Sequence, residues 1–211
     1  KTEVKNTTLD PLQLSKQLTK LKKKNINNLI LEASNHILKQ SRLDGLKFKT
    51  GIFTNLSHDH LDYHKSYKDY LNSKLYLFKK LLNRNSNIIT DLNIPEYKKI
   101  KSIALEKNIN LHTISDKYGD LSIISHKYNG EKQLVKIKYK KKIYNFELNL
   151  IGKIQLKNVL ISMIASHLSN INFENIVNFI HKLKPVYGRL EKVGSIKNNS
   201  FVILDYAHTP D

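Results

Sequence analysis

A mostly parallel α/β sheet flanked by helices, with a small antiparallel insertion, is the fold class this sequence predicts. Short apolar runs alternate with amphipathic stretches along most of the chain. One segment, KQLVKIKYKKKIYNFELNL (132–150), switches to a period of two. Three apolar runs end in carboxylates, histidines or small hydroxyl residues, as strands do where α/β sheets bind ligands at their carboxyl ends.

The elements follow in order. Leu12, Leu14, Leu18 and Leu21 recur at near-helical spacing over Pro11 to Lys24, and Asp10 before Pro11 is a start signal. NLILEA (28–33) reads as a short buried strand, and TGIFTN (50–55) as another. Ser66 opens a helix with Asp69 three residues on, a capping-box-like pair, running to about Leu82. NIIT (87–90) and Leu111 to Ser115 are strands around a helix near Pro95 to Lys107. Ser122 to Leu150 reads as antiparallel hairpins, helices return over 156–168 and 173–183, and FVILDY (201–206) is a buried strand. No internal repeat is present.

Composition excludes several classes. The 211 residues suffice for one good core, and 40% hydrophobic content favours folding over disorder. The chain has no cysteine, which removes disulfides and thiolate metal sites and fits a reducing cytoplasm. No apolar run approaches the roughly 18 residues of a membrane span. The net charge of +18 is nearly all lysine, scattered along the chain, and arginine occurs only at Arg42, Arg84 and Arg189. Nucleic-acid binders concentrate arginine and aromatics on one face, so a solvated surface is the first reading here. A basic nucleic-acid-binding module stands as the alternative.

Two local features carry chemistry. His58, Asp59, His60, Asp62 and His64, taken with Glu32, offer nitrogen and oxygen ligands that would suit zinc. A metallo-hydrolase built on His58, His60 and Asp62 is one outcome, but the run H-D-H-L-D-Y-H puts Tyr63 where the HxHxDH pattern needs histidine. Lys74 lies four residues from both Tyr70 and Phe78, inside the stripe Tyr67, Tyr70, Leu71, Phe78 and Leu81. A lysine there either snorkels to solvent or becomes a partly desolvated amine able to react.

Taken together, NTT, LEASNHILKQSR, TNLSHDHLDYHKSYKDYLNSKLYLF, LIGKIQLKNVL, YGRLE and ILDYAHTPD resemble the Mur ligase family. The detailed wording is similar to the branch that adds the third residue of the peptidoglycan stem peptide. The resemblance covers essentially the whole chain, and DHLDYH followed by a lysine-bearing helix and DYAHTPD is its specific part. It implies the family's central domain, of P-loop-type architecture, over residues 1–185. Residues 186–211 would be a linker and the first strand of a C-terminal ligase domain. Folylpolyglutamate synthetase shares this architecture and is a second family alternative.

Site residues carried over by position are expectations of the same kind. Glu32 and His60 would hold magnesium. Lys74 would be carbamylated and, as a carbamate, would help hold a second magnesium ion. Asn6, Thr7, Thr8, Ser34, Gln40 and Arg42 would contact UDP-N-acetylmuramoyl-L-alanyl-D-glutamate, and a forked guanidinium suits that anion. Asn158 would meet the adenine of ATP, with Arg189, Asp205 and His208 at its ribose and phosphates. Read singly, Thr7 and Thr8 are also ordinary turn residues, Asn158 a helix start signal and Asp205 a cap. Asn35 and Lys65 depart from the family wording, which has serine and glycine there.

The implied reaction is ATP-dependent amide-bond formation through an acyl phosphate, with Mg2+ as cofactor and diaminopimelate or lysine as incoming amine, diaminopimelate being the one expected. The implied protein is a cytoplasmic monomer of cell-wall biosynthesis with neither nucleic acid nor membrane among its partners. The chain contains no G-x-x-x-x-G-K-[ST] phosphate loop. The resemblance sets that loop just ahead of NTT, so residues 1–211 alone are expected not to ligate.

Overall fold

The computed structural model describes residues 10–56, 66–197 and 200–207. In chain order the elements are α1 (Pro11–Lys23), α2 (Asn35–Lys39), β1 (Phe48–Phe53), α3 (Tyr67–Tyr76), β2 (Leu82–Asp91), α4 (Tyr97–Glu106) and β3 (Asn110–Ser115). They continue with β4 (Leu121–Asn129), β5 (Lys132–Tyr139), β6 (Lys142–Leu148), α5 (Lys153–Leu168), α6 (Phe173–Phe179), β7 (Glu191–Ile196) and β8 (Ser200–Leu204). One sheet has the order β1-β2-β3-β4-β5-β6, and β7 and β8 form a second.

Strand directions can be read from the contacts. Ser86 Oγ donates to Phe48 O (3.2 Å), Asn87 Nδ2 to Lys49 O (3.4 Å) and Thr90 Oγ1 to Phe53 O (3.0 Å). These partners advance in step, so β1 and β2 are parallel. Asn85 N–H to Asn108 O and Leu92 N–H to Ile114 O, both 2.9 Å, give β2 and β3 the same relation. β4 is parallel to β3, whereas β4-β5-β6 is an antiparallel meander. The predicted fold class and insertion are therefore both present, and the insertion extends the main sheet. Ser86 to Asp91 of β2 are buried without a break, as a strand covered on both faces requires.

The chain divides into two compact units. One holds the described residues 10–51, 66–88 and 98–110; the other holds 52–56, 89–97, 111–197 and 200–207. In the first, Leu14, Ile37, Leu38, Leu43 and Leu81 form a core cluster. Asp10 caps α1 through its carboxylate, and Ser66 caps α3 by accepting from Asp69 N–H, so both start signals act as predicted. A π-helical turn, Leu77–Leu81, ends α3, and Lys107 Nζ donates to the carbonyls of Phe78 (3.4 Å), Lys79 (2.6 Å) and Leu82 (2.9 Å) there. In the second unit, Ile89, Ile114, Leu121, Val135 and Ile137 of the sheet pack with Leu156, Leu160 and Ile164 of α5.

Two expectations fail. NLILEA is not a strand: residues 26–34 are irregular and Ile30 is 98% exposed. An apolar run becomes a strand only when a neighbour takes up its N–H and C=O groups, and this one belongs to neither sheet. Only Leu31 and Ala33 turn inward, against the α1–α2 cluster. FVILDY is a strand over Ser200–Leu204, but every residue of it is exposed. It pairs with β7, which the sequence reading missed, in a ribbon of two strands among the described residues.

Candidate active site

In the first unit the predicted substrate residues sit on α2 and the turn after it. Ser34 is the N-cap of α2 and makes no side-chain capping bond. Gln40 is exposed, and Arg42 is half-buried with its N–H on Ile37 O at 3.0 Å. Between them Ser41 has φ +52, a left-handed conformation that turns the chain sharply. This turn is fastened to α3 by side chains. Lys39 Nζ meets Asp69 Oδ2 at 2.9 Å, and Tyr76 Oη donates to Asp44 Oδ1 and Oδ2 at 2.8 and 2.9 Å.

α3 also carries Lys74, which is half-buried, and Tyr70, Leu71, Ser73 and Leu75 of the same helix are buried. Its Nζ lies 5.3 Å from the Tyr70 ring centroid, within cation–π range. The stripe expected from sequence is thus the buried face, except that Tyr67 is 37% exposed. Glu32 is exposed on the irregular segment before α2, so it does not end a strand as expected. Asn6, Thr7, Thr8, His58, His60, Asp62 and His208 lie outside the described residues. Among the described residues no group of three or more histidine, aspartate or glutamate side chains could hold a metal ion.

Magnesium, which the resemblance implies, can be tested against the donors present. Glu32 supplies the hard oxygen a divalent cation prefers. A Lys74 ammonium would repel the ion, whereas a Lys74 carbamate would add oxygen ligands. Glu32 and a Lys74 carbamate would together be a donor set of the hard-oxygen kind that magnesium takes.

The second unit holds Asn158, Arg189 and Asp205 of the predicted nucleotide residues. Gly152, at φ +88, is the N-cap of this helix. A Cβ there would stand 3.0 Å from Leu190 Cδ1, so only glycine fits the turn and the approach. Leu190 itself has φ +47, which is costly for a bulky side chain, and it follows Gly188 at φ +68. Arg189 is therefore presented between two left-handed residues. Gln155 Nε2 donates to Arg189 O (3.2 Å), tying the first turn of α5 to that segment. The Arg189 guanidinium lies 5.9 Å from the Tyr206 ring, and Tyr206 N–H donates to Gly188 O at 2.7 Å.

Asn158 is exposed one turn further along α5, and its backbone carbonyl accepts from Ser162 Oγ at 2.8 Å. Asp205 Oδ1 accepts from Ala207 N–H at 3.1 Å, the local capping its sequence position also allowed. Below the helix start, Gln133 is fully buried and donates through Nε2 to Leu150 O (2.5 Å) and Gly152 O (3.3 Å) while its Oε1 meets His126 Nε2 (2.6 Å). Lys157 Nζ reaches Asp91 Oδ2 at 2.5 Å and Lys153 Nζ reaches Asp116 Oδ2 at 2.9 Å. Both carboxylates stand at carboxyl ends of sheet strands, where α/β ligand sites form.

Sequence reasoning missed Gln133, Gln155, Lys157 and Asp91. A signal existed for two of them: Lys157 follows Lys153 by one turn on α5, and NIITD, like the three runs singled out, ends in a carboxylate.

Comparison with known proteins agrees with the resemblance. The model of the Mur ligase middle domain matches residues 1–166. UDP-N-acetylmuramoyl-L-alanyl-D-glutamate--2,6-diaminopimelate ligase of Rickettsia montanensis is 35% identical over 205 residues, 97% of this chain and 42% of that protein. The ligase of the same name from Chelativorans sp. is 33% identical over the same coverage. A solved structure of a ligase of that name superposes with a TM-score of 0.82 at 27% identity, covering 97% of this chain and 42% of that one. Folylpolyglutamate synthetase from Lactobacillus casei, at 19% identity over 77% of this chain and 39% of its own, shares the fold with a TM-score of 0.57. The chain thus spans less than half the length of the relatives it matches.

Proposed function

Because the chain belongs to the Mur ligase family, as its middle domain, we propose that it is the nucleotide-binding core of an ATP-dependent ligase joining diaminopimelate to UDP-N-acetylmuramoyl-L-alanyl-D-glutamate. The observation that carries this reading is the 35% identity over 97% of the chain to a ligase of that name. The nucleic-acid alternative is not favoured: lysines in both units, among them Lys39, Lys132, Lys142, Lys153 and Lys157, are paired with carboxylates. The zinc hydrolase alternative rests on His58, His60 and Asp62, which lie outside the described residues.

The roles follow from chemistry. Arg42, half-buried beside the left-handed turn at Ser41, offers a fork of donors to the anionic substrate, and Gln40 and Ser34 add neutral hydrogen bonds. Asn158 on α5 would read the adenine edge with its amide, and Arg189 would meet the nucleotide's ribose and phosphates. ATP transfers its γ-phosphoryl group to the free carboxylate of the D-glutamate, giving an acyl phosphate and ADP. The amine of diaminopimelate then attacks the acyl carbon and phosphate leaves. Bound magnesium would neutralise phosphate charge, with Glu32, His60 and carbamylated Lys74 as its candidate holders. Most of the remaining rate enhancement is positioning. Residues 1–185 would form this core and 186–211 the passage to a C-terminal domain.

The test is a ligation assay on the full-length protein containing this chain, with ATP, Mg2+, the muramoyl-dipeptide and either diaminopimelate or lysine, following phosphate release. Diaminopimelate-dependent turnover is expected. Steep salt-dependent RNA binding without turnover would replace this reading with the basic-module alternative.

A further inference from the structure

Resting on the nucleotide-binding part of the ligase reading, we propose that Gln133 is a positioning residue for ATP. From β5 it fastens the turn that opens α5, and through that turn it sets Asn158 and Arg189. Gln133 is fully buried, and its Nε2 donates to Leu150 O at 2.5 Å and to Gly152 O at 3.3 Å. Carbonyl oxygens only accept, so the amide nitrogen must face them and the amide oxygen must face His126. His126 Nε2, 2.6 Å from that oxygen, therefore carries the hydrogen of the imidazole. Both donors and the acceptor of the amide are thus engaged.

Packing alone does not call for an amide here. Burial alternates along β5, and Gln133 shares the inward face with Val135 and Ile137, so hydrocarbon is what this face otherwise takes. Leu148, its partner across the ladder, is also fully buried. A buried amide costs stability unless it is hydrogen-bonded, and what Gln133 bonds is one turn of backbone. The nucleotide residues depend on that turn. Gly152 O also accepts the first bond of α5, from Leu156 N–H at 3.3 Å, so Gln133 and the helix share an oxygen. Gly152 caps α5 without a side chain, and a Cβ on it would meet Leu190 Cδ1 at 3.0 Å. Gln155, in the first turn of the helix, holds Arg189 O at 3.2 Å, and Asn158 follows one turn later. Gln133 thus acts on ATP through the turn. His126 stands opposite Val135, diagonal to Gln133 on the same face of the ladder, and acts through Gln133.

The experiment compares Gln133→Met, His126→Phe and the double variant with wild type in the full-length protein. Calorimetry gives Kd for Mg-ATP and for the muramoyl-dipeptide, and the ligand-free melting temperature is measured beside them. Gln133→Met keeps the length of the side chain and removes its hydrogen bonds. It is expected to weaken ATP binding about tenfold while Kd for the muramoyl-dipeptide stays within about twofold. His126→Phe should weaken ATP binding about threefold. The double variant should bind ATP no more weakly than Gln133→Met, because His126 acts through Gln133. A lower melting temperature with ATP binding unchanged would make Gln133 purely structural and overturn the proposal, and so would both Kd values rising together. If Gln133→Met does not fold, His126→Phe decides: unchanged ATP binding overturns the proposal and a threefold loss supports it. Wild type that binds ATP but does not ligate would sink the ligase reading, while the contrast in ATP binding still decides the role of Gln133. Wild type that does not bind ATP would overturn the proposal itself.

Discussion

Lys157 on the second turn of α5 and Asp91 at the end of β2 form an ion pair with Nζ and Oδ2 2.5 Å apart, although Asp91 is only 2% exposed. Asn93 N–H adds a second bond to the same carboxylate at 2.9 Å. A charge so deeply buried is tolerated because it is paired and hydrogen-bonded. The pair joins two elements 66 residues apart in sequence and fixes the helix that displays Asn158.

Removing one partner leaves the other charge uncompensated. Lys157→Met should lower unfolding stability by about 2–4 kcal/mol, toward the low end because the Lys157 side chain is 29% exposed. Asp91→Asn combined with Lys157→Met should cost less than the sum of the two single changes. Urea denaturation of the four forms in a double-mutant cycle measures both quantities.

Gly51 sits in β1 directly under Phe78. A Cβ there would lie 2.9 Å from Phe78 Cε1 and 3.2 Å from Leu82 Cδ1, and Phe78 is 1% exposed, with nowhere to retreat. Gly51→Ala should therefore destabilise by about 1–3 kcal/mol despite the better strand propensity of alanine. A Gly51→Ala protein as stable as wild type in thermal denaturation would contradict this packing.

Burial lowers the pKa of His112 below its usual 6.5, with Lys140 and His167 adding to the shift and Asp120 opposing it. The folded state thus prefers the neutral imidazole. Between the folded pKa and 6.5 the unfolded chain binds more protons, so this contribution to stability is complete above pH 6.5 and is lost as pH falls through the folded value. His112→Asn should flatten that part of the stability profile, read from urea midpoints between about pH 5 and 8.

Carbamylation of Lys74 joins its neutral amine to CO2, forming an N–C bond and releasing a proton. Protein equilibrated with 13C-bicarbonate should show a carbamate carbon resonance that Lys74→Arg lacks. The same substitution in the full-length protein should lower kcat at least about 100-fold, since a fixed cation would replace the anionic ligand proposed for this position. A labelled signal surviving Lys74→Arg would locate the carbamate elsewhere.

Much was legible where local patterns fix the outcome. Asp10 and Ser66 announced their helices, the period of two over 132–150 announced the meander, and Lys74 stood out on its stripe. NLILEA misled because an apolar run specifies burial without saying whether a strand lies beside it; the chain spends Leu31 and Ala33 on a helical cluster and exposes Ile30. FVILDY was read correctly as a strand and wrongly as buried, for the same reason.

The sequence alone determined the fold class, most of the helices and sheet strands and the family, because periodicities, caps and motif wording are properties of neighbouring residues. Only the tertiary structure decided that Gln155 holds Arg189, that Gly152 must yield to Leu190, that Asp91 is buried against Lys157 and that Gln133 reaches the Gly152 carbonyl. Those are relations between residues distant in sequence or between an atom and its surroundings, and packing in three dimensions is what creates them.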